Sequence, residues 1–483
     1  MRIPNQGSRP TSGSRGDVAR LPGNSTAGPT APALRPTEGV TEVRILHVNK
    51  FLHRRGGTEA YADDLAQLQH VAGHDVTFFG MHHPDNETYQ YERSFPAEIS
   101  FTPPPRSPVG KLKNLGRMMW STSAARGFDE VLDDFKPDIV HLHNIYHQLS
   151  PSILRPLAYR GIPAVMTVHD YKLACPTSQL LDHGKPCTAC VTGGPMQALR
   201  KRCNGSLTRS AAAALETTLH RKVNAYAPIH RFLCPSWFLA DVMRSAGVYP
   251  DRLHLQDNFI DTEVVFPSHV PGEGAVFVGR LSQEKGVDVL IRAWEHLPAK
   301  AHLHIAGDGP QRNELERLAE QLVPGRVTFH GNLDSTKTHD LMRSAAVVVV
   351  PSVWHENQPL AVLEAFACAR PVVATRMGGL PELVDPGVDG ELVAPRDSAT
   401  LADAIRPFVL DPARAAAMGQ AARTKVERRF APAVHAAAIE EHYQAVLADQ
   451  HGHAADAGDT QPADGDNWFP WPADDEDRAA NAR

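Results

Sequence analysis

A chain of 483 residues is too long for one hydrophobic core, so two or three folding units of roughly 150 residues each are the starting expectation. Its 42% hydrophobic and 22% charged residues describe a globular protein and exclude a wholly disordered one. A net charge of -6 argues against a dedicated nucleic-acid binder. Residues 1–40 hold no apolar core of signal-peptide length, and no later run reaches about 18 uncharged apolar residues. The sequence therefore predicts a cytoplasmic protein that does not span a membrane. Six cysteines in so long a chain do not suggest a disulfide framework.

Residues 1–42, rich in turn formers, read as a disordered arm. VRILHVN at 43–49 is the first predicted strand, followed by a helix over 58–69, on which Tyr61, Leu65 and Leu68 share a face, and a strand at 74–80. Strand, helix, strand opens a parallel α/β sheet. The pattern returns at 138–143, 163–169 and 231–235, which defines an N-terminal domain over 43–256. A second parallel unit begins at AVFVG, 275–279, with a helix over 287–296 and strands at 302–307, 327–330, 346–351 and 371–374. It forms a C-terminal domain over 257–430, and the chain crosses between the two near 256–261. Helices are expected at 397–409, 414–430 and 432–447, the last belonging to a C-terminal helix over 431–450. The acidic remainder, 451–483, reads as a disordered tail whose Trp468, Phe469 and Trp471 offer one aromatic cluster.

Four places carry chemistry. RRGGTE at 54–59 joins a strand to a helix, where Gly56 and Gly57 permit a tight turn and the free N–H groups of the helix receive an anion. In GRLSQEKG, 279–286, Arg280 and Lys285 make a diphosphate clamp at a strand terminus. Glu356 falls on a loop and Glu364 inside a helix, because Pro359 lies between them at the first turn. His169 ends the strand PAVMTVH and can exchange a hydrogen bond at a site, although 25 histidines must include many without that role. A full GxGxxG dinucleotide fingerprint is missing between the first strand and helix, which disfavours an epimerase or dehydrogenase.

Together, GGTE at 56–59, TVHD at 167–170, GRLSQEKG at 279–286, AGDGP at 306–310, ENQPLAVLE at 356–364 and GGLPE at 378–382 resemble the retaining GT-B glycosyltransferases of glycosyltransferase family four. The resemblance runs over about residues 43–447 and implies a GT-B fold: two Rossmann-like α/β domains facing each other across a central cleft. It implies transfer of a hexosyl group from a GDP- or UDP-sugar to an acceptor hydroxyl with retention, and no cofactor for catalysis. Arg280 and Lys285 would hold the donor diphosphate and Glu364 the ribose hydroxyls. Glu356 and His169 would lie near the transferred sugar, and Gly57 would line the diphosphate and acceptor side. Gly56, Asn357 and Leu360 complete the expected donor surface. Asn357, Gln358 and Pro359 stand where the family has a glycine-rich loop. The acceptor is expected to be a cell-surface polysaccharide or its lipid-linked precursor, with a small secondary metabolite, or a regulatory protein that binds the donor without catalysis, as alternatives.

Two further expectations concern the N-terminal domain. Cys175, Cys187, Cys190 and Cys203, spaced C-x11-C-x2-C-x12-C within an insertion over about 175–203, predict a closed structural zinc site. KLKNLGRMMW at 111–120 mixes Lys111, Lys113 and Arg117 with apolar side chains, which suggests peripheral contact with an anionic membrane at the inner face.

Overall fold

The computed structural model describes residues 42–54, 56–99 and 107–456. The arm before residue 42 and the tail from 457, with its aromatic cluster, lie outside the described residues. The first lobe contains β1 (Arg44–Val48), β2 (Asp75–Phe79), β3 (Ile139–Leu142), β4 (Ala164–Thr167), a small hairpin of β5 (Leu181–Asp182) and β6 (Lys185–Pro186), β7 (Arg231–Cys234) and β8 (Leu253–Leu255). Its main sheet is parallel, in the order β2-β1-β3-β4-β7-β8. The second lobe holds β9 (Ala275–Val278), β10 (Leu303–Ala306), β11 (Val327–Gly331), β12 (Val347–Val350), β13 (Val372–Thr375) and β14 (Gly390–Val393), parallel in the order β11-β10-β9-β12-β13-β14.

The two sheets repeat one plan. In each, the first strand sits inside the sheet, with the next strand on one side and a later strand on the other. That reversal opens a crevice at the carboxyl end of the first strand. Gly56 and Gly57 follow β1, and Arg280 to Lys285 follow β9, so both motifs stand at such crevices.

Side-chain alternation explains the continuous valine run of β12. Val347 and Val349 pack with Ala275, Phe277, Trp294 and Phe408 on one face, while Val348 and Val350 pack with Val276, Phe366 and Phe430 on the other. A parallel strand covered on both faces has no polar side to reveal a period of two.

The long predicted elements form close to their expected bounds. The helix expected over 287–296 is α-helical for Val287–Ala293 and tightens to a 3-10 turn at Trp294–His296. The last helix runs Pro432–Asp456, six residues into the stretch read as disordered tail. It crosses back to the first lobe, where Ile439, Tyr443 and Val446 join the N-terminal core.

Candidate functional site

On the first lobe, Gly56 is the N-cap of the helix Gly57–Val71, and both glycines are exposed. The open helix end therefore presents unsatisfied N–H groups to the cleft. A Cβ on Gly57 would stand 3.4 Å from Leu360 Cδ1 of the second lobe, so this helix end faces the loop that begins the helix Leu360–Ala367. His169 lies just beyond β4, partly buried, and burial pushes its imidazole down to about 3. It is a neutral ring throughout the physiological range.

On the second lobe, Lys285 Nζ donates to Glu356 Oε1 at 2.7 Å, with the Glu356 side chain only 6% exposed. Ser352 Oγ donates to the same carboxylate oxygen. Burial alone would raise the Glu356 carboxyl, but the Lys285 charge and these hydrogen bonds outweigh it and hold the group below the usual carboxylate range. Arg280 is exposed, and its guanidinium makes no hydrogen bond or ion pair among the described residues. Two of the expected donor ligands are thus placed differently: Lys285 is engaged in an ion pair, whereas Arg280 is free to meet an anion.

Backbone crowding keeps the loops around Glu356 in place. Gly378 has φ +62, and a Cβ there would lie 2.0 Å from the Glu356 carbonyl oxygen. Gly379 N also donates to that oxygen at 2.8 Å. The glycines of GGLPE thus let one loop rest directly on the backbone of another.

The sequence at 357–359 links the lobes. Asn357 Nδ2 donates to the backbone oxygens of Val168 at 3.3 Å and His169 at 3.4 Å, and Ser236 Oγ donates to Asn357 Oδ1 at 2.9 Å. Gln358 Nε2 donates to Asp257 Oδ1 at 2.6 Å, and Asn258 Nδ2 donates to the Gln358 carbonyl at 3.1 Å. Tyr171 OH reaches the Glu356 carbonyl at 3.3 Å. Glu356, Asn357 and His169 are therefore brought together from opposite lobes. Glu364 is the more exposed of the two glutamates, its side chain 26% exposed and 3.6 Å from His339 Nε2.

Three participants escaped the sequence reading. Ser352 and Tyr171 carry no local signal beyond their proximity to recognised motifs. Glu382, the last residue of GGLPE, accepts from the backbone N–H groups of Trp237 and Phe238 at 2.7 Å each, capping a helix of the opposite lobe. Its position in a recognised motif was visible, but its partner was not.

The cysteine insertion is only partly as expected. Cys190 donates to the Cys175 sulfur, which draws the Cys175 thiol well below its ordinary range and pushes Cys190 up. Cys187 and Cys203 lie close enough to act on Cys190 through charge. The four sulfurs do not close into a tetrahedron. Among the described residues, the sets of three or more potential ligand atoms lying within 4.8 Å of one another are His47, His141 and His143, and His53, His83 and Asp85. The hairpin tip of the insertion touches the other lobe: Arg396 Nη2 donates to the Gly184 carbonyl at 3.0 Å.

Ser107 caps the helix Pro108–Met119 through Gly110 N at 3.0 Å. Val109 and Leu112 are 77% and 69% exposed beside exposed Lys111 and Lys113, whereas Arg117 turns inward to the Ala97 carbonyl at 2.6 Å. No helix among the described residues is long and apolar enough to cross a membrane.

Comparison with known proteins agrees with this geometry. A family model described as Glycosyltransferase Family 4 matches residues 55–264, and one described as Glycosyl transferases group 1 matches 272–411. A D-inositol 3-phosphate glycosyltransferase of Xylanimonas cellulosilytica is 34% identical over 213 residues, covering 39% of this chain and 50% of that protein. An alpha-maltose-1-phosphate synthase of Mycolicibacterium smegmatis is 30% identical over 322 residues, covering 60% of this chain and 75% of that protein. The matched region thus spans between half and three quarters of these relatives. A sucrose-phosphate synthase from Thermosynechococcus elongatus shares the fold with a TM-score of 0.63 at 21% identity, over 84% of this chain and 99% of that one. An Anabaena protein solved in complex with UDP-glucose superposes with a TM-score of 0.58 at 19% identity, over 84% of this chain and 100% of that one.

Proposed function

Because the chain belongs to the GT-B glycosyltransferases of family 4 and group 1, we propose that it transfers a hexosyl group from a nucleotide-diphosphate sugar to an acceptor hydroxyl with retention. The observation that carries this reading is the meeting of the Gly57 helix end with the Leu360 loop, beside the Lys285–Glu356 pair. Arg280 and Lys285 neutralise the donor diphosphate; the Lys285 ammonium has three donors, of which Glu356 occupies one. Glu364 receives the ribose hydroxyls, and His169, Glu356 and Asn357 line the sugar. The bond from the anomeric carbon to the diphosphate breaks, the bond to the acceptor oxygen forms on the same face, and the acceptor proton passes to the leaving diphosphate. Charge growing on that leaving group is met by Arg280 and Lys285. Closure of the lobes aligns the acceptor and keeps water out.

The favoured acceptor is a cell-surface polysaccharide or its lipid-linked precursor, with the protein working at the inner face of the membrane. A soluble acceptor is the second reading, because both curated relatives above are named for small phosphorylated molecules. A mass-spectrometric screen of GDP- and UDP-sugars against saccharide, lipid-linked and soluble acceptors tests the proposal. Transfer to soluble metabolites alone would reject the polysaccharide acceptor, and tight donor binding without any transfer would favour a regulatory protein.

Two associated sites follow. The exposed Val109 and Leu112 beside Lys111 and Lys113 support reversible contact with anionic lipid. Binding to phosphatidylserine vesicles is expected at low salt and should weaken as salt rises; equal recovery with neutral vesicles rejects it. The grouping of four thiols around the β5–β6 hairpin supports a structural zinc that draws Cys187 and Cys203 in to the Cys175–Cys190 pair. Metal analysis after purification without added zinc should give about one zinc per chain, lost in a Cys187→Ser, Cys190→Ser variant. Metal-free protein with all thiols reduced would exclude it.

A further inference from the structure

The first lobe buries His47, His141 and His143, and hydrogen bonds join them into one chain with partly buried His169. His169 Nε2 lies 3.1 Å from His143 Nδ1, and His143 Nε2 lies 3.0 Å from His47 Nδ1. His47 Nε2 is 2.6 Å from Gln69 Oε1, and Gln69 Nε2 is 2.9 Å from Tyr443 OH on the last helix. Tyr443 OH is 2.6 Å from His141 Nδ1, and His141 Nε2 is 2.8 Å from Thr167 Oγ1. Thr167 is hydrogen-bonded to Tyr61, whose OH lies 3.1 Å from His435 Nε2. His435 Nδ1 ends the chain 2.9 Å from the Asp257 backbone oxygen, at the crossover between the lobes.

This chain also explains the buried set His47, His141 and His143. All six of their ring nitrogens already have hydrogen-bond partners, so the cluster is a network with no lone pair left over for an ion.

Its polarity follows from one end. A backbone carbonyl only accepts, so the 2.9 Å contact with Asp257 O assigns the proton to His435 Nδ1; Gln256 Nε2 stands 2.9 Å from the same nitrogen, and this polarity requires the amide to present its oxygen there instead. Burial pushes His435 down to about 3 and keeps it neutral, so its Nε2 accepts from Tyr61. Tyr61 then accepts from Thr167, and Thr167 from His141 Nε2–H. Neutral His141 accepts from Tyr443 at Nδ1, and Tyr443 accepts from the Gln69 amide. Gln69 offers its oxygen to His47 Nε2–H, which is the side-chain orientation observed. His47 Nδ1 therefore accepts from His143 Nε2–H, and His143 Nδ1 accepts from His169 Nε2–H.

We propose that this buried chain fixes His169 as its Nε2–H tautomer, with Gln69 and Tyr443 as positioning residues, so that Nδ1 meets the bound sugar as a hydrogen-bond acceptor. His169 Nδ1 makes no hydrogen bond among the described residues. The inference rests on the proposed sugar site for its consequence, but the tautomer belongs to the free protein and is read without turnover. The experiment is long-range 1H–15N correlation on 15N-histidine-labelled full-length protein, with a His169→Gln variant identifying the His169 resonances. Wild-type protein should show Nε2–H at His169 from pH 6 to pH 8. Tyr443→Phe, which removes one hydroxyl, should leave a mixture of tautomers and lower kcat about tenfold, matching the lower end of the loss when the hydrogen-bond partner behind a metal-bound histidine is removed, with KM little changed. Gln69→Leu should act in the same direction. An Nδ1–H signal in the wild type would overturn the polarity. An unchanged His169 tautomer in a folded Tyr443→Phe protein would overturn the control by the chain, whatever happens to activity.

Discussion

Arg280→Ala is expected to lower kcat/KM for the nucleotide sugar about 100- to 1,000-fold, the range for removing one preorganised donor to a developing negative charge. Stability should scarcely change, because Arg280 is exposed and its guanidinium is unbonded among the described residues. Lys285→Ala should match it in activity and differ in stability. It strands the Glu356 carboxylate, 6% exposed, without its cation, and breaking a buried pair from one side costs about 3–5 kcal/mol. A Lys285→Met, Glu356→Gln double variant should recover much of that stability and none of the activity. Urea unfolding and initial rates on the same preparations check both halves. Near-native rates in folded Arg280→Ala would remove the diphosphate clamp; equal stability of Lys285→Ala and wild type would remove the ion pair's structural part.

Acid should unfold this protein steeply, beginning well above the range where carboxylates titrate. His47, His141, His143 and His435 are buried, and burial lowers each below the ordinary 6.5: His47 to about 4, His435 to about 3, and the other two well below. The unfolded chain therefore takes up these protons first. Stability is fully present above pH 6.5 and is lost as pH falls through the window down to the folded-state values. Each group contributes a slope of about 1.4 kcal/mol per pH unit within that window, and four titrating together make the fall severalfold steeper. Urea midpoints should be flat from pH 8 to 7 and drop sharply between 6 and 5. Midpoints that stay level to pH 5 would show the four imidazoles to be accessible to protons in the native state.

Most of the fold was legible because parallel sheets covered on both faces leave continuous apolar runs, as in Val347–Val350. The edge strands Leu253–Leu255 and Gly390–Val393 were missed, being short and interrupted by His254, Gly390 and Glu391. Site residues at strand ends, Arg280, Lys285 and His169, could be picked out by chemistry at a switch point. Their partners could not: the Lys285–Glu356 pair joins residues 71 apart, and Glu382 meets Phe238 144 positions away. Asn357 and Gln358 read as a departure from a glycine-rich loop, and only the structure shows what they hold. Both tie the donor loop to the other lobe and its crossover through side-chain amides, bonds that glycines cannot make.

The last helix has a consequence for how the molecule is made. Gln69 and Tyr443, hydrogen-bonded in the finished lobe, are separated by 374 residues. On a ribosome adding roughly 5–20 residues per second, about 20–75 seconds pass between the emergence of one and the other. Throughout that interval the nascent first lobe has an open groove where Ile439, Tyr443 and Val446 will sit, and its buried Gln69 amide lacks its final acceptor. The second lobe can finish meanwhile, since its core draws on residues 260–430. The half synthesised first is thus the half completed last.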